Sequence, residues 1–106
     1  MDVDQYSVFW VNLDTTIGSE VNKTRPCVVI SPVEMNKYLN TVIIAPLTHT
    51  IKAYPTRVLC LVAGERGAIM LDQIRTIDKR RLTSFIAKLK DQEVDRIKFV
   101  IKEMFC

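Results

Sequence analysis

Short apolar runs separated by polar, Gly-bearing or Pro-bearing segments fill the chain up to residue 89, and only the last stretch changes to a helical period. Residues 6–13 (Tyr-Ser-Val-Phe-Trp-Val-Asn-Leu) read as a first strand with Trp10 in the core. The polar segment 14–23 is too long for a tight hairpin, which suits a binding loop. A second strand is expected at 27–30. It runs into Ser31-Pro32-Val33-Glu34, where Ser31 can cap a short helix to about Leu39, Glu34 can complete a capping box and Ile30 and Met35 can form a hydrophobic staple.

Residues 41–45 then form a buried strand closed by Pro46, and a polar, basic stretch, 47–57, leads to a fourth strand at 58–62. Residues 63–67 are a turn, and a fifth strand starts at Ala68 and continues to Ile77. Ile74 and Ile77 cannot both face the core in strict alternation, so a bulge or strand end is expected near Thr76. Asp78 can cap a single turn at 79–82, and residues 84–89 form a further strand. From Asp91, with Val94, Ile97, Ile101 and Met104 at helical spacing, an amphipathic helix of about four turns closes the chain. The class is α+β: a small, strongly curved antiparallel sheet or barrel with short helices and a C-terminal amphipathic helix.

A chain of 106 residues, 48% hydrophobic and 25% charged, suits one globular domain, here expected to span 1–106. No apolar run approaches the roughly 18 residues of a membrane span and the N-terminus is acidic, so a cytoplasmic protein with no membrane partner is expected. Three cysteines without a close pair argue against a disulfide framework and a zinc site, and Cys27 and Cys60 read as buried small hydrophobes. The net charge of +3 is modest but uneven. No carboxylate occurs between Glu34 and Glu65, where Lys37, His49, Lys52 and Arg57 fall, and Lys79-Arg80-Arg81 adds a second basic cluster. Such patches suit a phosphate-bearing partner.

One position stands out. Arg25 directly precedes Pro26 and the apolar run Cys27-Val28-Val29-Ile30. Proline disfavours the α region for the residue before it, so Arg25 should be extended, with its guanidinium at a strand mouth.

Five stretches in order, Trp-Val-Asn-Leu-Asp (10–14), Gly-Ser-Glu (18–20), Lys-Thr-Arg-Pro with Val-Val-Ile-Ser-Pro (23–26, 28–32), Ile-Ala-Pro-Leu-Thr (44–48) and Leu-Asp-Gln-Ile-Arg-Thr-Ile-Asp (71–78), resemble the MazF/PemK/Kid toxins. The resemblance implies a homodimeric SH3-like barrel. It also implies the toxin half of a toxin–antitoxin pair, a sequence-specific, metal-independent endoribonuclease acting on single-stranded RNA without a cofactor, and a cognate antitoxin whose acidic C-terminal segment competes for the basic groove. Arg25 matches the family's catalytic arginine and Thr48 the threonine of the Pro-Leu-Thr motif. Glu20, Asp72 and Gln73 match positions that line the RNA groove. With Ser19, Lys23, Thr24, His49, Lys52, Arg57, Lys79 and Arg80 they make up the expected RNA-binding set.

Ser19 stands where Kid-type members carry a histidine and Met70 where they carry an arginine, so a mechanism that needs those groups is not open to this chain. The alternative reading is a CcdB-like toxin of similar fold that binds DNA gyrase, or a catalytically degenerate relative.

The chemistry can be argued apart from the resemblance. Metal-free RNA cleavage uses the neighbouring 2′-hydroxyl as nucleophile, so a protein must help remove that proton, stabilise a dianionic phosphorane and protonate the departing 5′-oxygen. A guanidinium suits the second task through its planar fork of donors, and Thr48 can add a hydrogen bond. Arginine's high pKa makes it a poor base, which leaves the base open. His49 is the tempting candidate, histidine being the side chain whose unperturbed charge change falls near neutral pH. It follows Thr48 directly, however, and in an extended segment adjacent side chains point to opposite faces. That favours a loop residue or phosphate contact at His49 over the alternative, a catalytic His49.

Overall fold

The computed structural model describes residues 2–13 and 24–106; Met1 and the expected loop at 14–23 lie outside the described residues. The first strand, β1 (Ser7–Asn12), pairs antiparallel with β2 (Thr24–Val29) and with β7 (Leu82–Lys88). The core aromatic of β1 is Phe9, which meets the Phe85 ring edge-on with centroids 5.7 Å apart. Trp10, expected inside, is 41% exposed. Alternation turns it away from Phe9 and Val11, and its cross-strand neighbours are Pro26 and Ser84.

β2 begins three residues earlier than expected and takes in both Arg25 and Pro26. The helix α1 (Val33–Tyr38) follows, but without the capping box. Ser31 is buried, its hydroxyl donating to the Asn36 side-chain oxygen and accepting from the Ile43 N–H, while Asn36 donates to the carbonyls of Val3 and Ser31. The serine therefore ties α1 to the next strand and the N-terminal segment, where a buried hydroxyl needs partners more than an exposed helix end does.

β3 (Thr41–Thr48) runs through Pro46 instead of stopping there. A loop leads to β4 (Arg57–Val62), and β5 (Glu65–Met70) follows through a two-residue turn. Ala63 and Gly64, with φ of +51° and +81°, form that turn, whose hand matches the twist of the flanking strands. The expected fifth strand is broken, but at the 3-10 turn Leu71–Gln73 and not at Thr76. It resumes as β6 (Arg75–Asp78), so that β5 and β6 pair with successive parts of β3. The turn Lys79–Arg81 is capped by Asp78, which accepts from the Arg80 N–H at 2.8 Å, as expected.

Among the described residues seven strands make one curled antiparallel sheet in the order β4-β5-β3-β2-β1-β7, with β6 added on β3. One apolar cluster (Val8, Val28, Leu47, Ile69, Leu71) is covered by Ile97 and Val100 of the closing helix α2 (Asp91–Phe105). A second (Phe9, Val11, Cys27, Val29, Ile44, Ile77) fills the other side. α2 also protects the sheet's edge, since Glu93 accepts from the Lys90 N–H and from the Leu61 N–H of β4, both at 2.8 Å. No helix among the described residues is long and apolar enough to cross a membrane.

Candidate functional site

Two prolines decide where the sheet opens. The β2–β3 ladder runs from Val29 opposite Ile44 to Cys27 opposite Pro46 and ends there, because proline has no N–H to carry it further. Beyond that point the strands keep different company. β2 stays on β1, with Val11 opposite Arg25, while β3 goes over to β5, with Thr48 opposite Ala68. Into the split opens a groove of about 590 Å³ bordered by Arg25 and Pro26 on one side and by Thr48, His49, Glu65 and Arg66 on the other. Trp10, Thr24 and Ile86 also line its wall.

Arg25 is extended and exposed at the strand mouth, as the Arg-Pro step requires. Thr48 ends β3, and its hydroxyl oxygen accepts from the Thr50 N–H at 3.1 Å, which leaves its proton free to donate. That short turn takes His49 out of the extended geometry, and His49 borders the same groove as Thr48. The extended segment that would turn the two to opposite faces is therefore not present at His49: the strand ends at Thr48 and a bend follows. The His49 Nε2 lies 3.7 Å from a carboxylate oxygen of Glu65.

Gly67 keeps the two halves in register. A Cβ there would stand 2.9 Å from the Thr48 carbonyl oxygen. Gly67→Ala must therefore push β5 from β3, and we expect a loss of about 1–3 kcal/mol in stability, together with lower activity through a displaced Thr48. Urea unfolding with an unchanged slope and a lower midpoint checks it; an unchanged midpoint would show that β3 gives way freely. Behind the groove floor, burial pushes the Cys60 thiol up to about 11, with Glu93 adding to the effect. Burial raises Cys27 to about 12. Neither is a thiolate nucleophile near neutrality.

The other described residues of the expected RNA-binding set lie away from the groove. Arg57 holds Asp72 through Nε at 2.9 Å and a terminal nitrogen at 3.3 Å, with the Thr56 hydroxyl on the same carboxylate at 3.0 Å, and stacks over Tyr54 at 5.0 Å. The hydrogen bond from Arg57 holds the Asp72 carboxyl below its ordinary range, and the same bond raises Arg57. Gln73 and Lys52 are exposed away from the groove wall. Lys79 donates to the Asn36 carbonyl at 2.6 Å and borders a separate hollow with Asp2, Asp4 and Lys37. Arg80 is paired with Asp78, whose carboxyl it holds down at about 2. Lys79 and Arg80 are thus paired with the Asn36 carbonyl and with Asp78, and neither borders the groove described above. Ser19, Glu20 and Lys23 lie outside the described residues.

Residues 4–105 match the family model described as PemK-like, MazF-like toxin of type II toxin-antitoxin system. The chain belongs to that family. It is 33% identical over 103 residues to endoribonuclease EndoA of Bacillus subtilis (strain 168), covering 92% of this chain and 89% of that protein. Among solved structures, MazF of Deinococcus radiodurans superimposes with a TM-score of 0.82 at 24% identity, covering 98% of this chain and 96% of that one. A MazE–MazF structure from the same organism does so with a TM-score of 0.80 at 27% identity, covering 98% and 93%. The curled sheet with its terminal helix is therefore the MazF fold.

Four groove residues of this MazF-like chain escape a reading of the sequence alone. Glu65, Arg66 and Gly67 sit in Gly-Glu-Arg-Gly, which reads as a turn; only the pairing of Val62 with Glu65 shows that the turn is over by then. Trp10 reads as core because tryptophan usually is. The apolar neighbours Phe9 and Val11 on either side are the one hint that it faces the other way.

Proposed function

We propose that this MazF-like chain cleaves single-stranded RNA in the groove between β2 and β3, as the toxin of a toxin–antitoxin pair, with Arg25 and Thr48 acting on the scissile phosphate. The observation that carries the reading is that the two matched residues, 23 positions apart in sequence, border one groove at the point where the sheet splits. EndoA's name adds the reaction.

The 2′-hydroxyl attacks the adjacent phosphorus, and Arg25 offers its fork of N–H donors to the non-bridging oxygens as their charge grows. Thr48 donates one further hydrogen bond to the same oxygens. Trp10 and Thr24 extend the binding surface along the strand, with unstacked bases read by edge contacts and stacking. An antitoxin with an acidic C-terminal segment would compete for Arg25 and Arg66.

Incubating the purified protein with a long RNA in EDTA tests the reading: discrete fragments cut at a recurrent sequence are expected. Intact RNA would leave a gyrase-binding toxin or an inactive relative.

The active form is a homodimer in this proposal. Phe99 and Phe105 of α2 and Leu59 and Leu61 on the outer face of β4 are exposed, more large apolar surface than a small monomer usually presents. Sedimentation at micromolar concentration is expected to give a dimer, and a stable monomer would refute this part.

A further inference from the structure

The groove holds a proton acceptor that the arginine and threonine do not account for. Of the described groups that could take a proton from a 2′-hydroxyl, Arg25 and Arg66 are cations. The Cys60 thiol is buried and protonated. Asp72 is off the groove and bound by Arg57 and Thr56. That leaves the chain's one histidine and the carboxylate beside it. The turn closed by Thr48 and Thr50 sets His49 on the groove next to Thr48, and Glu65, opening β5, stands 3.7 Å from its Nε2. At 3.7 Å the carboxylate stands just beyond hydrogen-bond reach in the free protein; closed onto Nε2 when RNA fills the groove, it would hold the proton there and leave the other nitrogen as an acceptor.

We propose that His49 is the general base of this enzyme and that Glu65 positions its imidazole. The inference rests on the ribonuclease reading given above. Nε2–H donates toward Glu65, and Nδ1 takes the proton from the 2′-hydroxyl as the O2′–P bond forms. The P–O5′ bond breaks, and the 5′-oxygen takes a proton from solvent water. A 2′,3′-cyclic phosphate and a 5′-hydroxyl remain, and the imidazolium, steadied by the Glu65 carboxylate, returns its proton to water. Both side chains are largely exposed in the free protein, so RNA lying in the groove is what excludes water from the pair and strengthens it.

The charged and titratable groups that face His49 across the groove are Arg25 from β2, Cys60 from β4, and Glu65 and Arg66 from β5. Of these, Glu65 alone carries the charge that suits an imidazolium formed in the step, and it is the group nearest the ring.

The experiment is a set of single-turnover cleavage rates, with protein saturating an end-labelled RNA, across about pH 5 to 9. For the wild-type protein the rate is expected to rise with pH and level off. His49→Gln is expected to lower the plateau by about 10²-fold or more and to abolish the acid limb, while still binding an uncleavable 2′-deoxy RNA. Glu65→Gln is expected to keep the limb with a smaller loss of rate, and Glu65→Asp to restore much of that rate, a charge-dependent rescue that a merely structural role for Glu65 would not produce. A His49→Gln protein that keeps the wild-type rate and limb would overturn the proposal and leave the ribonuclease reading intact. A wild-type protein that cuts no RNA would overturn both.

Discussion

Replacing Arg25 by alanine is expected to lower the turnover rate at saturating RNA by about 10²-fold or more while changing RNA affinity much less. The asymmetry follows from where the charge appears. In the ground state the phosphodiester carries one negative charge that Arg66 and the groove walls also attract. In the phosphorane a second charge develops on oxygens that only a donor already in place can meet without reorganisation. Arg25 is held ready for this: the backbone is fixed by Val11 across the ladder and by Pro26 beside it. Arg25→Lys should rescue poorly, since it keeps the charge and loses the planar fork. Near-complete rescue would mean that Arg25 supplies attraction alone, and normal turnover of the alanine variant would make it an ordinary surface arginine.

A single 2′-deoxy nucleotide on the 5′ side of the cut is expected to abolish cleavage there, with binding kept. The reason is chemical: without that hydroxyl the nucleophile is missing, and the one thiol at the groove among the described residues, Cys60, is buried and protonated near neutrality. Cleavage of the modified RNA at the same bond would require water as nucleophile and a different account of every residue in the site.

Much of the fold is legible in the residues, and the failures share a cause. β4 alternates cleanly, α2 carries its apolar stripe at helical spacing and Asp78 caps its turn; each depends on neighbours in sequence. Ser31, Trp10 and the two strand prolines depend on partners far along the chain. Ser31 looks like a cap until Ile43 and Asn36 claim its hydroxyl, and Trp10 looks like core until β7 and β2 show which face it takes. Pro46 reads as a strand end; in three dimensions it ends only the pairing with β2, and the strand itself continues onto β5. Since that divergence makes the groove, the site's shape could not be read locally, although its two matched residues could. Charge read along the sequence likewise does not reveal that Lys79 is paired with the Asn36 carbonyl and Arg80 with Asp78.

The most direct test of the account is the chemistry of the fragment ends. A defined RNA, cut by the wild-type protein in EDTA, should yield an upstream fragment ending in a 2′,3′-cyclic phosphate and a downstream fragment beginning with a 5′-hydroxyl, with both products lost in parallel for Arg25→Ala. An upstream 3′-hydroxyl with a downstream 5′-phosphate would contradict it, because those ends arise only when the attacking oxygen comes from outside the RNA.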